Sequence, residues 1–467
     1  MDGSHTGHVG SLSPFQEQKL KQLWKVLFHL GGVLVDENCP ETMAFAMATP
    51  PPAEEAAPPR RTGFFRRSAP STAASSDPFG ANGGDDKFGL AKKFHETLAK
   101  VGSEALRDSI WAMVRSENPD AVLLRFLRAR KWDVQKALIM LVSAVGWRLH
   151  DMNVDDIMRN GEAAALADEK AGHGDVQKMG HDFMEQLRMG KSLLHGRDRQ
   201  GRPISVIRVH LHHWGGQSPE SIERYTVHLI ETTRLVLESP VETGTIVFDM
   251  THFGLANMDY GPVKFIIRCF EANYPESLGN ILIHNAPWIF NPIWKVIRAW
   301  LDPVVAAKVH LTHGRKGIEE FIAPEQLIKE LGGDEDFEYK YLEPVEGEND
   351  RMKDTETRDC ILKTRGELQR RFEEATIQWI RDDQGAADTR LAVAAELRTN
   401  YWTLDPYVRA RSHWDRAGII DGKGNTRWYA SEREKADGEA DKAVADRLDT
   451  DKVDDLVVSF AEVNVKV

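Results

Sequence analysis

Between residues 14 and 30, apolar side chains return at three- and four-residue steps: Phe15, Leu20, Leu23, Trp24, Leu27, Phe28 and Leu30. Gly31-Gly32 stops the pattern. This spacing predicts a helix over 14–30 within an N-terminal segment 1–35. Residues 36–90 then carry eight of the chain's 21 prolines among Ala, Ser and Gly, which predicts a disordered linker. Its basic–aromatic run, Arg60, Arg61, Phe64, Phe65, Arg66 and Arg67, reads as solvated linker or as a weak anchor for anionic lipid. Helical periodicity resumes over 92–100, 104–114, 120–130 and 133–149, a helical unit bounded at 91–170. Pro119 suits the first turn of the third of these helices, with Asn118 as its cap.

Beyond Gly172 the pattern changes to alternation. Short β-rich apolar runs at 204–211, 245–250, 280–285 and 308–312 are separated by helical periodicity at 219–238, 260–272 and 290–301. Strands alternating with helices predict an α/β domain over 171–345 with a mostly parallel sheet. Two charged amphipathic helices, 354–379 and 389–401, make a C-terminal helical extension over 346–415. The rest, 416–467, reads as an acidic tail.

Composition narrows the function. The chain has 467 residues, 41% of them hydrophobic, enough for a sizeable core. Its three cysteines, Cys39, Cys269 and Cys360, are odd in number, far apart and in no metal spacing, which suits a reducing compartment. Met1 to Gly10 lacks a basic region followed by an apolar one, so no secretory signal is expected. No apolar run approaches the ~20 residues of a membrane span. A soluble, cytoplasmic, monomeric protein is expected. A net charge of −12 argues against nucleic acid as the main partner.

Several short motifs carry a family likeness. Leu123-Leu124-Arg125-Phe126-Leu127-Arg128-Ala129-Arg130-Lys131-Trp132-Asp133 resembles the signature helix of the CRAL-TRIO N-terminal subdomain. Gly201-Arg202-Pro203, Asn273-Tyr274-Pro275-Glu276, Asn285-Ala286-Pro287, Leu301-Asp302-Pro303 and Leu331-Gly332-Gly333 follow in the family's order. The likeness covers roughly residues 92 to 343. With Trp24-Lys25-Val26-Leu27-Phe28-His29-Leu30 and Asp354-Thr355-Glu356-Thr357-Arg358, the whole chain is similar to the fungal CSR-type phosphatidylinositol-transfer proteins. The resemblance implies a hydrophobic cavity floored by the sheet and closed by a mobile gate helix, with no cofactor, no metal and no bond made or broken. It implies phosphatidylinositol as ligand, transient contact with endomembranes, and a head-group set of Arg130, Lys131, Glu276 and Lys308. A carrier of another hydrophobic ligand (sterol, other isoprenoid or haem) and a non-transferring lipid-sensing scaffold stay open as alternatives.

The residue types suit that chemistry. Arg130 offers phosphate a planar donor fork and Lys308 a compact charge, while Glu276 accepts from ring hydroxyls and also suits pairing with Lys308. Read without the resemblance, Arg130 and Lys131 are charges that complement a helix C-terminus, and Glu276–Lys308 is a surface ion pair. In the helix over 290–301, Phe290, Ile293, Trp294, Ile297, Trp300 and Leu301 share a face, away from Asn291, Lys295 and Arg298. A core helix has this pattern, and so does a gate that opens at a bilayer.

Two features point elsewhere. The family's phosphatidylcholine binders place Ser and Thr where this chain has Gly244 and Ile246, so a second ligand is expected to be a different hydrophobic lipid. His210, His212 and His213 put two imidazoles on one strand face, but no fourth metal ligand stands at a convincing spacing. No nucleophile elbow, Walker loop or dinucleotide fingerprint occurs, leaving hydrolysis and nucleotide binding without local support.

Overall fold

The computed structural model describes residues 6–33, 86–429 and 432. Nearly all of segment 36–90, with its basic–aromatic cluster, and most of the C-terminal tail lie outside the described residues. Helix α1 (Pro14–Leu30) starts on a reciprocal cap, in which Ser13 Oγ accepts from the Gln16 N–H and Gln16 Oε1 from the Ser13 N–H. Its apolar face packs on α3 (Ser103–Val114), α4 (Pro119–Ala129) and α5 (Val134–Gly146), with α2 (Leu90–Lys100) covering α5. A π turn, Trp147–Asp151, leads from α5 to the paired helices α6 (Val154–Ala171) and α7 (Gly174–Arg188).

Five strands lie side by side in chain order. β1 (Ser192–Arg197) runs antiparallel to β2 (Pro203–Arg208); β3 (Gly244–Asp249), β4 (Leu278–His284) and β5 (Val309–Thr312) continue parallel to β2. The β1–β2 turn is closed by Asp198, whose carboxylate accepts from the backbone of Gln200 and Arg202 and from Thr245 Oγ1. The period of two sorts the faces. Leu193, Ile204, Val206, Val247 and Leu282 bury against Ile318, Ile322, Leu327 and Leu331. Ile207, Ile246, Phe248, Ile281 and Ile283 turn to the opposite side. There they meet α8 (Pro219–Leu235), α9 (Tyr260–Arg268) and α10 (Phe290–Trp300); α11 (Pro303–Ala306) and α12 (Gly314–Glu319) flank β5.

Helices α13 (Thr355–Ile380) and α14 (Ala386–Val408) form a hairpin that joins the core of α1 to α5 through Phe372, Trp379 and Leu397. Its polar centre ties three segments together. Trp24 Nε1 and Arg390 Nη2 both donate to Asp120 Oδ1, at 2.7 Å and 2.6 Å, while the Arg390 guanidinium lies 4.0 Å from the Trp379 ring centre.

Three regions differ from the sequence expectation. Helices α6 and α7 and strand β1 occupy stretches where periodicity showed no element, because polar side chains sit at buried positions: Glu162, Asp182, Gln186 and His195. Gly161, at φ 55°, breaks α6 further. Past α15 (His413–Arg416), residues 417–429 are packed rather than tail-like, with Ile419, Ile420 and Trp428 buried and Gly424 leaving room for the Trp402 indole.

Candidate functional site

The sheet face opposite Ile318 and the helices α8, α9 and α10 enclose a cavity holding about 1770 Å³ of empty space out to its open mouth. Ile207, Ile246, Phe248, Ile281 and Ile283 form the floor, and Tyr225, Leu229 and Ile230 of α8 one wall. Helix α10 covers it. Its Phe290, Ile293 and Ile297 are buried, Trp294, Trp300 and Leu301 half-buried, and Asn291, Lys295 and Arg298 exposed. Phe290, Trp294, Ile297 and Leu301 line the space. Outside, Trp288 and Val304 flank the helix, fully or partly in solvent.

The C-terminal end of α10 is fastened by one carboxylate. Glu271 Oε1 accepts from the Asp302 N–H at 2.7 Å, and Glu271 Oε2 accepts from Lys87 Nζ at 2.7 Å. Lys87 also donates to the Trp300 carbonyl.

The predicted head-group residues separate into two places. Glu276, at φ 51°, precedes β4, and Lys308 precedes β5; their side chains meet at 3.3 Å. Their chain neighbours Ser277 and Val309 line the cavity. Arg130 ends α4 and is half-buried; Lys131, at φ 51°, is exposed. Neither side chain makes a hydrogen bond or ion pair with another described residue. Of the cations at this end of α4, Arg128 is the one held by a carboxylate, that of Glu242. Burial pushes its pKa below the ordinary arginine value, Glu242 opposes this from 2.8 Å, and Glu276 opposes it at longer range. Sequence reasoning passed over Arg128, although it stands in the same Arg-Ala-Arg-Lys run.

Beyond the other ends of the strands the cavity has a second polar region. Lys191, next to β1, is 6% exposed, and burial lowers its pKa to about 8. His212 and Asp259 also line this end, their nearest side-chain atoms 3.4 Å apart, and burial likewise lowers the His212 pKa. Nothing in the local sequence distinguishes Lys191 from a surface lysine. The carbonyls of His210 and His212 accept from Asn257 Nδ2. Among the described residues, no three His, Cys, Asp or Glu side chains gather as a metal set, and no helix is long and apolar enough to cross a membrane.

Comparison with known proteins agrees with this architecture. The family model for the CRAL/TRIO, N-terminal domain matches residues 91–143, and that for the CRAL/TRIO domain matches 187–333. The CRAL-TRIO domain-containing protein C3H8.02 of Schizosaccharomyces pombe is 39% identical over 424 residues, 89% of this chain and 92% of its own. Phosphatidylinositol transfer protein CSR1 of Eremothecium gossypii is 37% identical over 437 residues, 89% of this chain and 98% of its own. The Sec14 cytosolic factor of S. pombe is 27% identical over 235 residues, 46% of this chain and 74% of its own. With both family models matched in order and two relatives aligned over nearly their whole lengths, the chain belongs to the CRAL-TRIO domain family.

Proposed function

We propose that this chain is a phosphatidylinositol transfer protein that lifts one phospholipid from a membrane, carries its acyl chains in the apolar cavity, and releases it at another. The observation that carries this is the cavity itself, covered by an amphipathic helix and flanked by the Glu276–Lys308 pair. A relative sharing 37% identity is named a phosphatidylinositol transfer protein. Magnitudes explain why such a device is needed. Exposing acyl chains to water costs about 0.8 kcal/mol per CH₂, so two chains make spontaneous escape very slow. A cavity as apolar as the bilayer removes most of that barrier while leaving the overall transfer nearly balanced. No covalent step is required, and the chain acts as a carrier rather than an enzyme.

In this proposal α10 is the gate. Its apolar face covers the ligand when shut, and Trp288, Lys295, Arg298 and Val304 meet the membrane interface when it opens. Glu276 and Lys308 receive the inositol phosphate, and Arg128, Arg130 and Lys131 at the end of α4 supply further positive charge. The protein works as a cytoplasmic monomer that touches endomembranes transiently. Transfer of labelled phosphatidylinositol between donor and acceptor vesicles tests it: the purified chain accelerates transfer, and lipid extraction recovers about one phospholipid per chain. An empty protein that leaves the spontaneous rate unchanged refutes it.

A further inference from the structure

We infer that Tyr274, anchored on the buried carboxylate of Glu231, is the residue that positions Glu276 against Lys308. This rests on Glu276 and Lys308 forming the head-group site, but it concerns what sets their geometry.

Glu231 lies in α8 with no exposed surface, and three guanidinium groups surround it. Arg115, just past α3, reaches Oε2 at 2.9 Å; Arg148, in the π turn, reaches Oε1 at 2.6 Å; Arg234 lies 3.2 Å from Oε2. Burial alone would raise the Glu231 pKa, but these arginines hold the carboxyl well below its ordinary range. The Tyr274 hydroxyl donates to Glu231 Oε1 at 2.7 Å. With three cations already present, the phenol is not needed to neutralise the carboxylate. What this hydrogen bond fixes is the loop that carries Tyr274. The Tyr274 N–H donates to the Cys269 carbonyl at 2.7 Å, and its ring packs edge-on against Trp147. Its carbonyl accepts from Ser277 Oγ. On the far side, the Ser277 carbonyl accepts from the Gly244 N–H at 3.0 Å, tying the loop to β3. Pro275 and Glu276 are left as a short tip between pinned ends. Glu276 stands at φ 51°, a conformation uncommon outside glycine that persists only where the surrounding chain imposes it. Across so short a tip, a shift of Tyr274 is passed on to the Glu276 carboxylate, whose contact with Lys308 is 3.3 Å. Arg115 and Arg148 belong to the helical unit, so that unit sets the geometry of a site on the sheet.

The test is Tyr274→Phe in the full-length protein, which keeps the ring against Trp147 and removes one hydroxyl. Acetylation of Lys308, followed by mass spectrometry, is expected to run at least about threefold faster than in wild type, toward the rate in Glu276→Gln. Buried Lys191 is the control for general loosening. The second reading is retention of phosphatidylinositol relative to diacylglycerol with the same acyl chains. Tyr274→Phe is expected to lower that ratio at least about fivefold, and to lower it no further when added to Lys308→Ala. A tyrosine that merely supports the fold would weaken retention of both lipids alike and add its effect to that of Lys308→Ala. Unchanged Lys308 labelling overturns the inference, as does equal acceleration at Lys191, which is also the result if the variant fails to fold. Additivity with Lys308→Ala overturns it too. The labelling needs no lipid. If the wild type fails to transfer phosphatidylinositol yet Lys308 labelling responds as expected, the transfer function falls and the positioning stands.

Discussion

Lys308 Nζ lies 3.3 Å from Glu276 Oε2, and the two side chains keep 24% and 26% of their surface exposed. An ion pair this wet contributes at most about 1 kcal/mol to the fold. It is, however, one of the few charged pairs next to an otherwise apolar cavity, and a head group drawn from water needs fixed charges to meet it.

The first prediction follows. Lys308→Ala and Glu276→Gln each lower phosphatidylinositol transfer more than tenfold while the melting temperature moves by no more than a few degrees. Glutamine is chosen at 276 because φ there is 51°, and a similar side chain avoids adding a backbone effect. Thermal melting beside vesicle transfer checks both. Variants that melt like wild type and still transfer at its rate show that the pair only decorates the surface.

Selectivity is expected to follow from the absence of hydroxyls at positions 244 and 246. Gly244 and Ile246 line the cavity. The nearby hydroxyls of Thr226, Thr233 and Ser277 already donate to the carbonyls of Ile222, Leu229 and Tyr274. With these three engaged and none supplied at 244 or 246, the phosphate of a choline lipid is left only Ser192 and Ser205 of the cavity lining, so phosphatidylcholine transfer is expected to run at about a tenth of the phosphatidylinositol rate or less. Matched donor vesicles decide it: equal rates for the two lipids defeat the prediction.

What the sequence made visible depended on whether an element buries apolar residues at regular steps. Helix α1 was legible to its ends because its Leu–Trp–Phe stripe and its terminal glycines agree. Helix α10 was equally legible, having Phe290, Ile293 and Ile297 on one face. Helix α6 was not, because its buried face includes Glu162, which Arg416 and His413 satisfy from about 250 residues away. The same holds for β1, whose buried His195 stacks 3.7 Å from Phe337. At the site, motif likeness pointed to Glu276 and Lys308, which the fold sets in contact, and to Arg130, which it leaves without a described partner. Lys191 was silent because burial, the property that makes it unusual, arises from the pairing of β1 with β2 and from the cavity beyond.

Acid should find a particular weak point. Burial alone pushes the Glu117 carboxyl up, but Arg125 and Arg234 overcome it and hold the pKa down to about 2. A carboxylate depressed below its unfolded value near 4.3 contributes stability above that pH and loses it as pH falls toward 2. Glu117→Gln should therefore cost roughly 3–5 kcal/mol at neutral pH, since the buried Arg125 loses its carboxylate partner and Arg234 is left with Glu231 alone. The gap to wild type should narrow below about pH 4, as the glutamate of the unfolded chain takes up a proton that the native carboxylate does not accept until about pH 2. Urea denaturation of both proteins at pH 7, 5 and 3 measures this, and a gap that stays constant with pH rules out the linkage.

The last prediction concerns the latch on α10. Each oxygen of Glu271 is occupied, one by the Asp302 N–H just past the helix and the other by Lys87, which also holds the Trp300 carbonyl. The Glu271 side chain is only 5% exposed, while its partners Asp302 N–H and Lys87 lie nearer to solvent. Were α10 to swing outward as a gate, Asp302 would have to move with it, and the contact from α9's end to that backbone N–H would break. Breaking a charge-assisted hydrogen bond costs about 1.5–3 kcal/mol, enough to slow opening by roughly ten- to a hundredfold if the contact is lost before the open state is reached. Glu271→Ala removes the latch without touching the cavity lining. It is expected to raise amide exchange across residues 290–301 and to shorten the residence time of bound phosphatidylinositol at least about fivefold. Hydrogen–deuterium exchange and release of labelled lipid into excess acceptor vesicles give the two readings. Faster exchange with unchanged release means that α10 loosens without gating the ligand. If neither changes, Glu271 is a static tie, and the hinge must be sought at the other end of the helix, where Pro287 and Trp288 lead into Phe290.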